Sequence, residues 1–94
     1  MQQRHVTVIN RLGLHARASA RLVNLANQYK AEVKLARADN QQAVDGKSIL
    51  GVLLLAASKG TELIISAEGE DEERVLRALC DLINNKFGEE GDVF

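Results

Sequence analysis

Two hydrophobic periods alternate along this 94-residue chain, and their alternation constrains its fold more than any other feature. Apolar spacings of three and four residues predict a helix, whereas spacings of two predict a strand. The predicted elements follow in the order strand, helix, strand, strand, helix, strand, helix. Such an order predicts an α+β domain whose helices cover one face of a mostly antiparallel sheet. From this order alone, we expect the ferredoxin-like arrangement of strands.

Short runs of residues define each predicted element. The strands are expected from about residue 4 to a turn at 10–13, and at 31–36, 42–44 and 61–67. The first helix has the apolar stripe Ala18, Leu22, Leu25 and Tyr29, and the last helix has Val75, Leu79, Leu82 and Lys86. The middle helix is predicted over 48–57, with Ser48 as its N-cap and Gly60 near its end.

The length and the hydrophobic content of 46% are sufficient for one core. We therefore expect one domain over residues 1–88 and a flexible tail over 89–94. No apolar run approaches the roughly 18 residues of a membrane span, and the N-terminus lacks the apolar region of a secretory signal. Cys80 is the only cysteine, which agrees with a reducing compartment. These features predict a cytoplasmic protein that does not insert into a membrane. We also expect a monomer that needs no metal or cofactor.

Charge is distributed unevenly along the chain. Residues 1–60 contain nine Lys and Arg against three Asp and Glu, whereas residues 61–94 contain three against ten. The basic residues are dispersed, and only 3% of the residues are aromatic, so base stacking has little support. The pattern argues against nucleic-acid binding and favours binding to an acidic protein partner.

His15 lies between a turn and a predicted helix, where it could carry chemistry. The backbone N–H groups of Ala16, Arg17 and Ala18 have no acceptor inside the helix, so a helix start of this kind attracts anions. Neutral imidazole is nucleophilic near pH 7, and Arg17 adds a fixed positive charge. Histidine, amides and arginine could together hold a phosphoryl group. A histidine with only a structural role is the alternative.

Three segments of the chain resemble HPr, the histidine-containing phosphocarrier of the bacterial phosphoenolpyruvate-dependent phosphotransferase system. They are GLHAR at residues 13–17, GKSILGV at 46–52 and SAEGED at 66–71. The resemblance implies an open-faced β-sandwich with strand order 1-4-2-3 and three helices on one face. It also implies a carrier, not an enzyme: enzyme I passes a phosphoryl group to Nδ1 of His15, Arg17 stabilises the phosphate, and His15 passes the group to an enzyme IIA domain.

The same resemblance suggests where partners dock. Ile49, Leu50, Leu53 and Leu54 would form an exposed apolar patch, although a place in the core is the alternative for these four side chains. The cations expected around this patch are Arg11, Arg17, Arg21 and Lys47. A serine at the place of Ser48 is phosphorylated in relatives by HPr kinase/phosphorylase, which makes Ser48 a candidate regulatory site. Its simpler role is that of an N-cap.

The chain departs from the family signature at Ala18, where His-x-Arg is usually followed by proline. Proline in the first helical turn fixes φ, so alanine is expected to leave the helix intact but loosen its start.

The segments also point to different branches of the system: residues 10–15 are similar to the nitrogen-related NPr type, and residues 46–52 to serine-regulated HPr. The alternative function is a regulatory module that binds kinases or transcription factors and never carries phosphate.

Overall fold

The computed structural model describes residues 1–88 and confirms the predicted order of elements. The strands are β1 (Gln2–Thr7), β2 (Glu32–Arg37), β3 (Ala43–Asp45) and β4 (Glu62–Glu68), and the helices are α1 (Ala16–Ala26), α2 (Ile49–Leu54) and α3 (Glu72–Asn84). A 3₁₀ turn at Lys86–Gly88 ends the described chain. The tail predicted at 89–94 lies outside the described residues.

The four strands form one sheet in the order β1-β4-β2-β3, and all neighbouring strands are antiparallel. The order implied by the HPr resemblance is therefore confirmed, and the ferredoxin-like arrangement is wrong. Burial explains the order: β4 and β2 bury alternate residues along most of their length, whereas β1 and β3 are largely exposed. The strands with more apolar positions occupy the centre of the sheet, where both neighbours shield them.

The helices cover one face of the sheet and leave the other open, which is why burial alternates along the strands. α3 packs on β1 and β4, while α1 packs on α2 and α3. The largest fully buried side chains come from both layers: Val8, Leu22, Val33, Leu35, Val52, Leu63, Ile65, Val75, Leu76, Leu79, Ile83 and Phe87. On the open face, Nδ1 of His5 lies 2.8 Å from Oε2 of Glu62 on the neighbouring strand.

All three helices end earlier than their apolar stripes suggested. α1 stops at Ala26, so Tyr29 lies beyond it and is only partly buried. α2 stops at Leu54 because Ala56 adopts a positive φ of 51°, which no helix continues; Gly60 is therefore not its stop. Lys86 also has a positive φ and lies beyond α3.

Within α3 the buried stripe is rotated relative to the predicted one. Val75 and Leu79 are buried as expected, whereas Leu82 is only partly buried. Leu76 and Ile83 take the remaining buried positions.

Asp71 joins the start of α3 to the chain that enters β2. Its two carboxylate oxygens accept hydrogen bonds from the N–H groups of Lys30, at 2.9 Å, and Ala31, at 2.8 Å. The Lys30 N–H lowers the pKa of Asp71 most; partial burial opposes this effect, and the Ala31 N–H adds to it. Asp71 thus makes a tertiary contact, and its negative charge at the start of α3 also suits the helix dipole.

We expect Asp71→Asn to lower the urea midpoint at neutral pH, because an amide presents one acceptor oxygen where the carboxylate presents two. Since the folded-state pKa of Asp71 is lowered, its contribution is present above the unfolded pKa, about 3.9, and is lost as pH falls through the folded value. The difference in urea midpoint between the native chain and Asp71→Asn should therefore shrink in acid. Asp81→Asn, an exposed change in the same helix, is the control. An equal loss in both variants at neutral pH would contradict the account.

Candidate functional site

His15 is the N-cap of α1, as predicted, and has an extended backbone with φ of −72° and ψ of −179°. The backbone N–H of Arg17 donates to Nδ1 of the ring, with the nitrogen atoms 3.3 Å apart. A ring nitrogen that accepts a hydrogen bond carries the lone pair, so in the neutral ring the proton lies on Nε2. Nδ1 then carries the lone pair, and it faces the start of the helix.

The turn predicted at residues 10–13 holds the chain just before His15. The N–H of Gly13 donates to the carbonyl of Asn10 at 3.2 Å, and the side-chain amide of Asn10 donates back to the carbonyl of Gly13 at 2.8 Å. Gly13 has a positive φ of 66°, a conformation that favours glycine. The N–H of Leu14 donates to the carbonyl of Ala57 at 2.9 Å, which ties the turn to the segment after α2.

The helix start presents backbone donors beside the ring. The N–H of Ser19 donates to the carbonyl of His15, so the N–H groups of Ala16, Arg17 and Ala18 precede this first α-helical bond. Ala16 and Arg17 are exposed, whereas Ala18 has no exposed surface. Within residues 1–88, no residue forms a hydrogen bond or an ion pair with the Arg17 guanidinium. His15 and the backbone amides of Ala16, Arg17 and Ala18 are thus adjacent at the helix start, and Ala18 is the residue with no exposed surface. That they hold a phosphate together with the Arg17 side chain stays a prediction.

The apolar residues of α2 divide between the core and the surface. Val52 and the C-cap residue Leu55 are buried, whereas Ile49, Leu50, Leu53 and Leu54 are 43%, 67%, 36% and 71% exposed. We call these four exposed residues the α2 patch. The alternative that placed them in the core is wrong. An apolar surface of this kind is a common feature of protein docking sites.

α2 is anchored at its C-terminal end by Arg37, which extends from the end of β2. Nη1 of Arg37 donates to the carbonyls of Leu55 and Ala56, at 3.2 and 3.3 Å. Asp39 pairs with the same guanidinium at 2.8 Å, which lowers the pKa of the Asp39 carboxyl. A positive charge at a helix C-terminus also suits the helix dipole. The short helix that carries the α2 patch is thus held by side chains as well as by its own bonds.

α1 and α2 run antiparallel, which sets the distances along this face. Near the start of α1, Leu14 contacts Ala57; near its end, the Asn27 side chain lies 3.4 Å from the carbonyl of Lys47. The C-terminal end of the α2 patch is therefore near His15. Ser48 lies at the opposite end, near the C-terminus of α1, whose 11 residues span about 16 Å.

Ser48 is the N-cap of α2, as predicted, and its hydroxyl oxygen accepts from the N–H of Gly51 at 3.1 Å. The residue is partly buried. Its hydroxyl therefore has a structural role in the unmodified protein, independent of any regulation.

Two of the cations expected around the patch are instead bound to carbonyl groups of the fold. The Arg21 guanidinium donates to the carbonyl of Phe87, and the Lys47 ammonium donates to the carbonyl of Tyr29 at 2.7 Å. Both contacts give these side chains a role within the domain. Their role in docking stays a prediction, as does that of Arg11.

Sequence patterns did not reveal three residues that shape the site. Asn10 and Ser19 are buried polar residues, and their side chains bond to the backbone on either side of Leu14. Leu12 is an exposed apolar residue in the turn itself. Asn10 has a recognisable signal, because asparagine at the start of a glycine turn often bonds to the backbone two or three residues on. Ser19 and Leu12 have none.

No helix within residues 1–88 is long and apolar enough to cross a membrane. The same part of the chain holds no group of three histidine, cysteine or acidic residues placed to bind a metal ion.

Comparison with known proteins agrees with this geometry. The PTS-HPr family, described as the PTS HPr component phosphorylation site, matches residues 2–85. The chain is 51% identical to phosphocarrier protein HPr of Pseudomonas aeruginosa over 89% of its length and 92% of that protein. It is 36% identical to phosphocarrier protein NPr of Shewanella violacea over 93% of each chain. A crystal structure of HPr-C-His from Thermoanaerobacter tengcongensis, 38% identical, superposes with a TM-score of 0.91 over 97% of this chain and 100% of that one. The chain therefore belongs to the HPr family of phosphocarrier proteins.

Proposed function

We propose that His15 accepts a phosphoryl group from phosphorylated enzyme I and passes it to an enzyme IIA domain of the phosphotransferase system. The observation that carries the proposal is the hydrogen bond from the Arg17 N–H to Nδ1 of His15. This bond favours the tautomer whose lone pair lies on Nδ1, beside the backbone amides of the helix start. Family membership supports the carrier role, and the cytoplasmic, monomeric state expected from the sequence is part of the proposal.

In the proposed reaction, the Nδ1 lone pair of His15 attacks phosphorus, and the bond between phosphorus and the donor atom of enzyme I breaks. The electron pair of that bond returns to enzyme I, and Nε2 keeps its proton. The Arg17 N–H, displaced from Nδ1, turns to a phosphate oxygen, and the Arg17 guanidinium supplies further donors. The second transfer is the same step with the acceptor atom of enzyme IIA as the nucleophile.

The α2 patch and Arg17 are proposed to form the docking surface for both partners. An apolar centre with a cation beside it fits an acidic partner, and such pairs associate rapidly and depend on salt. Because the C-terminal end of the α2 patch lies near His15, one surface would serve donor and acceptor in turn. A carrier of this type needs fast release more than tight binding.

Transfer to enzyme IIA tests this proposal, and it also distinguishes the sugar-related branch of the phosphotransferase system from the nitrogen-related branch. The phosphorylated chain, separated from enzyme I, is mixed with a sugar-branch or a nitrogen-branch IIA domain, and the phosphate on each partner is measured over time. We expect rapid transfer to at least one of them and none from a His15→Gln chain. A stable phosphorylated chain that gives its phosphate to neither IIA domain would contradict the relay.

We propose Ser48 as a regulatory phosphorylation site for an HPr kinase/phosphorylase. Ser48 lies at the end of the α1–α2 pair opposite to His15, and α1 spans about 16 Å, whereas the Debye length is about 8 Å at physiological salt. A phosphate on Ser48 would therefore act weakly on the ring. It would instead place negative charge beside Ile49 and Leu50 of the α2 patch, against an acidic partner. Regulation at Ser48 would therefore act on docking, not on the chemistry of His15.

We expect Ser48→Asp to raise the KM for enzyme I about tenfold with little change in kcat, because aspartate repels an acidic partner yet still caps the helix. Asn40→Asp adds the same charge at an exposed turn and is the control, for which KM should not change. Incubation with the kinase and ATP should add phosphate to the native chain and not to Ser48→Ala. Native Ser48 left unmodified by an active kinase would overturn this assignment.

Ala18→Pro should preserve α1 and increase the transfer rate a few fold, because proline fixes φ in the first turn, where its missing N–H breaks no α-helical bond. Ala20→Pro, two residues later, removes a bond inside the helix and should unfold its first half. Circular dichroism and single-turnover kinetics with enzyme I measure the two effects. Unchanged transfer kinetics in Ala18→Pro would show that preorganisation at this residue is unimportant.

A further inference from the structure

Ser19 contacts both peptide groups that flank His15. Its hydroxyl donates to the carbonyl of Leu14 at 3.0 Å, and its own N–H donates to the carbonyl of His15 at 2.8 Å. Ser19 has no exposed surface, and Leu14 is buried as well. A buried hydroxyl–carbonyl bond is well defined, since neither partner has water as an alternative.

We propose that Ser19 is a positioning residue for His15. The carbonyl of Leu14 belongs to the peptide group before His15, and the carbonyl of His15 to the peptide group after it. Fixing both planes fixes φ and ψ of His15, and these two angles set the direction in which the Cα–Cβ bond carries the ring. The N–H bond is an ordinary part of the helix, whereas the hydroxyl bond depends on serine at this residue.

The described contacts next to that of Ser19 hold other atoms or are weaker. The bond from the Arg17 N–H to Nδ1 is 3.3 Å long, at the weak end of the range for such bonds. Ala18 places no restriction on the first turn of the kind that proline would. The hydrogen bond from the Leu14 N–H to the carbonyl of Ala57 holds the peptide group before Leu14. The carbonyl of Leu14 belongs to the next peptide group, so it needs a partner of its own. Ser19 provides it from inside the domain, without contacting a phosphate or a docking partner.

The test replaces Ser19 by alanine, which keeps the helical N–H bond and removes only the hydroxyl. This inference rests on the proposed function where transfer is measured, so a second measurement, amide hydrogen exchange, is independent of phosphate. We expect kcat for transfer from enzyme I to fall about tenfold, because small misplacement of a reacting group is costly, and KM to change little, because the docking surface is intact. Exchange at Leu14 and Arg17 should accelerate more than exchange at the core amide of Ile65.

Ile83→Val is the control, since it removes one methylene from the core of α3 and reports what a general loss of stability does. It should leave kcat and the relative exchange at Leu14 unchanged. Should Ser19→Ala fail to fold, Ser19→Cys offers a similar shape with a much weaker donor, and the same loss of kcat is expected. Native kcat in a folded variant, or exchange at Leu14 and Arg17 that changes only in step with Ile65, would overturn the role of Ser19. A native chain that accepts no phosphate would instead refute the proposed function and leave the exchange result to decide on Ser19.

Discussion

Gly13→Ala is expected to lower the free energy of unfolding by about 2 to 4 kcal/mol and to slow phosphoryl transfer strongly. Gly13 has a positive φ of 66°, a conformation that is energetically unfavourable for a residue with a Cβ atom. A Cβ atom there would also lie 2.5 Å from the carbonyl oxygen of Ala57 and 2.7 Å from Cα of Ser58. Both are backbone atoms, so the segment itself must move, and the bond from Leu14 to Ala57 that holds the chain before His15 would be disturbed.

Gly60→Ala separates the two causes of this loss. Gly60 also has a positive φ, of 93°, but an added Cβ would meet no atom within 4 Å. Gly60→Ala should therefore lower the free energy of unfolding only by the cost of the positive φ, about 1 kcal/mol. Urea unfolding of both variants measures the difference. Equal losses at the two glycines would show that the close approach of Gly13 to Ala57 and Ser58 does not constrain the loop.

Leu50→Asp combined with Leu54→Asp is expected to raise the KM for enzyme I about a hundredfold or more while leaving the free energy of unfolding almost unchanged. The two side chains are 67% and 71% exposed, so the core does not depend on them. Central apolar anchors of an interface each contribute about 2 kcal/mol or more to binding, and aspartate adds repulsion from an acidic partner.

The matched control is Asn40→Asp with Gln42→Asp, which adds the same two charges to the exposed turn and chain between β2 and β3. That variant should keep the native KM. Steady-state transfer from enzyme I and urea unfolding are measured on all three chains. A native KM in the leucine double variant, or a loss of stability comparable to that of a core substitution, would contradict the docking role of the α2 patch.

Much of the fold was predictable from local patterns. The alternation at Val33 and Leu35, and at Leu63 and Ile65, predicted the central strands, because the residues of a strand that face a core recur at every second position. The order of the strands was not predictable from periodicity, because it depends on contacts between residues distant in the chain. Helix ends also escaped prediction: α2 stops where Ala56 adopts a positive φ, and alanine gives no signal of that conformation.

The candidate site shows the same division. The place of His15 and Arg17 at the start of a helix was predictable, because a helix start depends on neighbouring residues. Lys47 was expected at the docking surface, yet its ammonium contacts the carbonyl of Tyr29, 18 residues away. Ser19 gave no signal, since its hydroxyl meets Leu14 only after the turn has packed against the helix. Contacts that depend on this packing can be identified from the structure but not from a spacing pattern.

The most direct test of the carrier role is the intact mass of the chain after incubation with phosphoenolpyruvate, Mg²⁺ and enzyme I, with His15→Ala treated alongside. The account predicts one added phosphate on the native chain and none on the variant, and the adduct should be lost in acid and retained in base, as expected of phosphohistidine. No adduct on the native chain, with an enzyme I that phosphorylates another carrier, would contradict the account and favour a regulatory module that carries no phosphate.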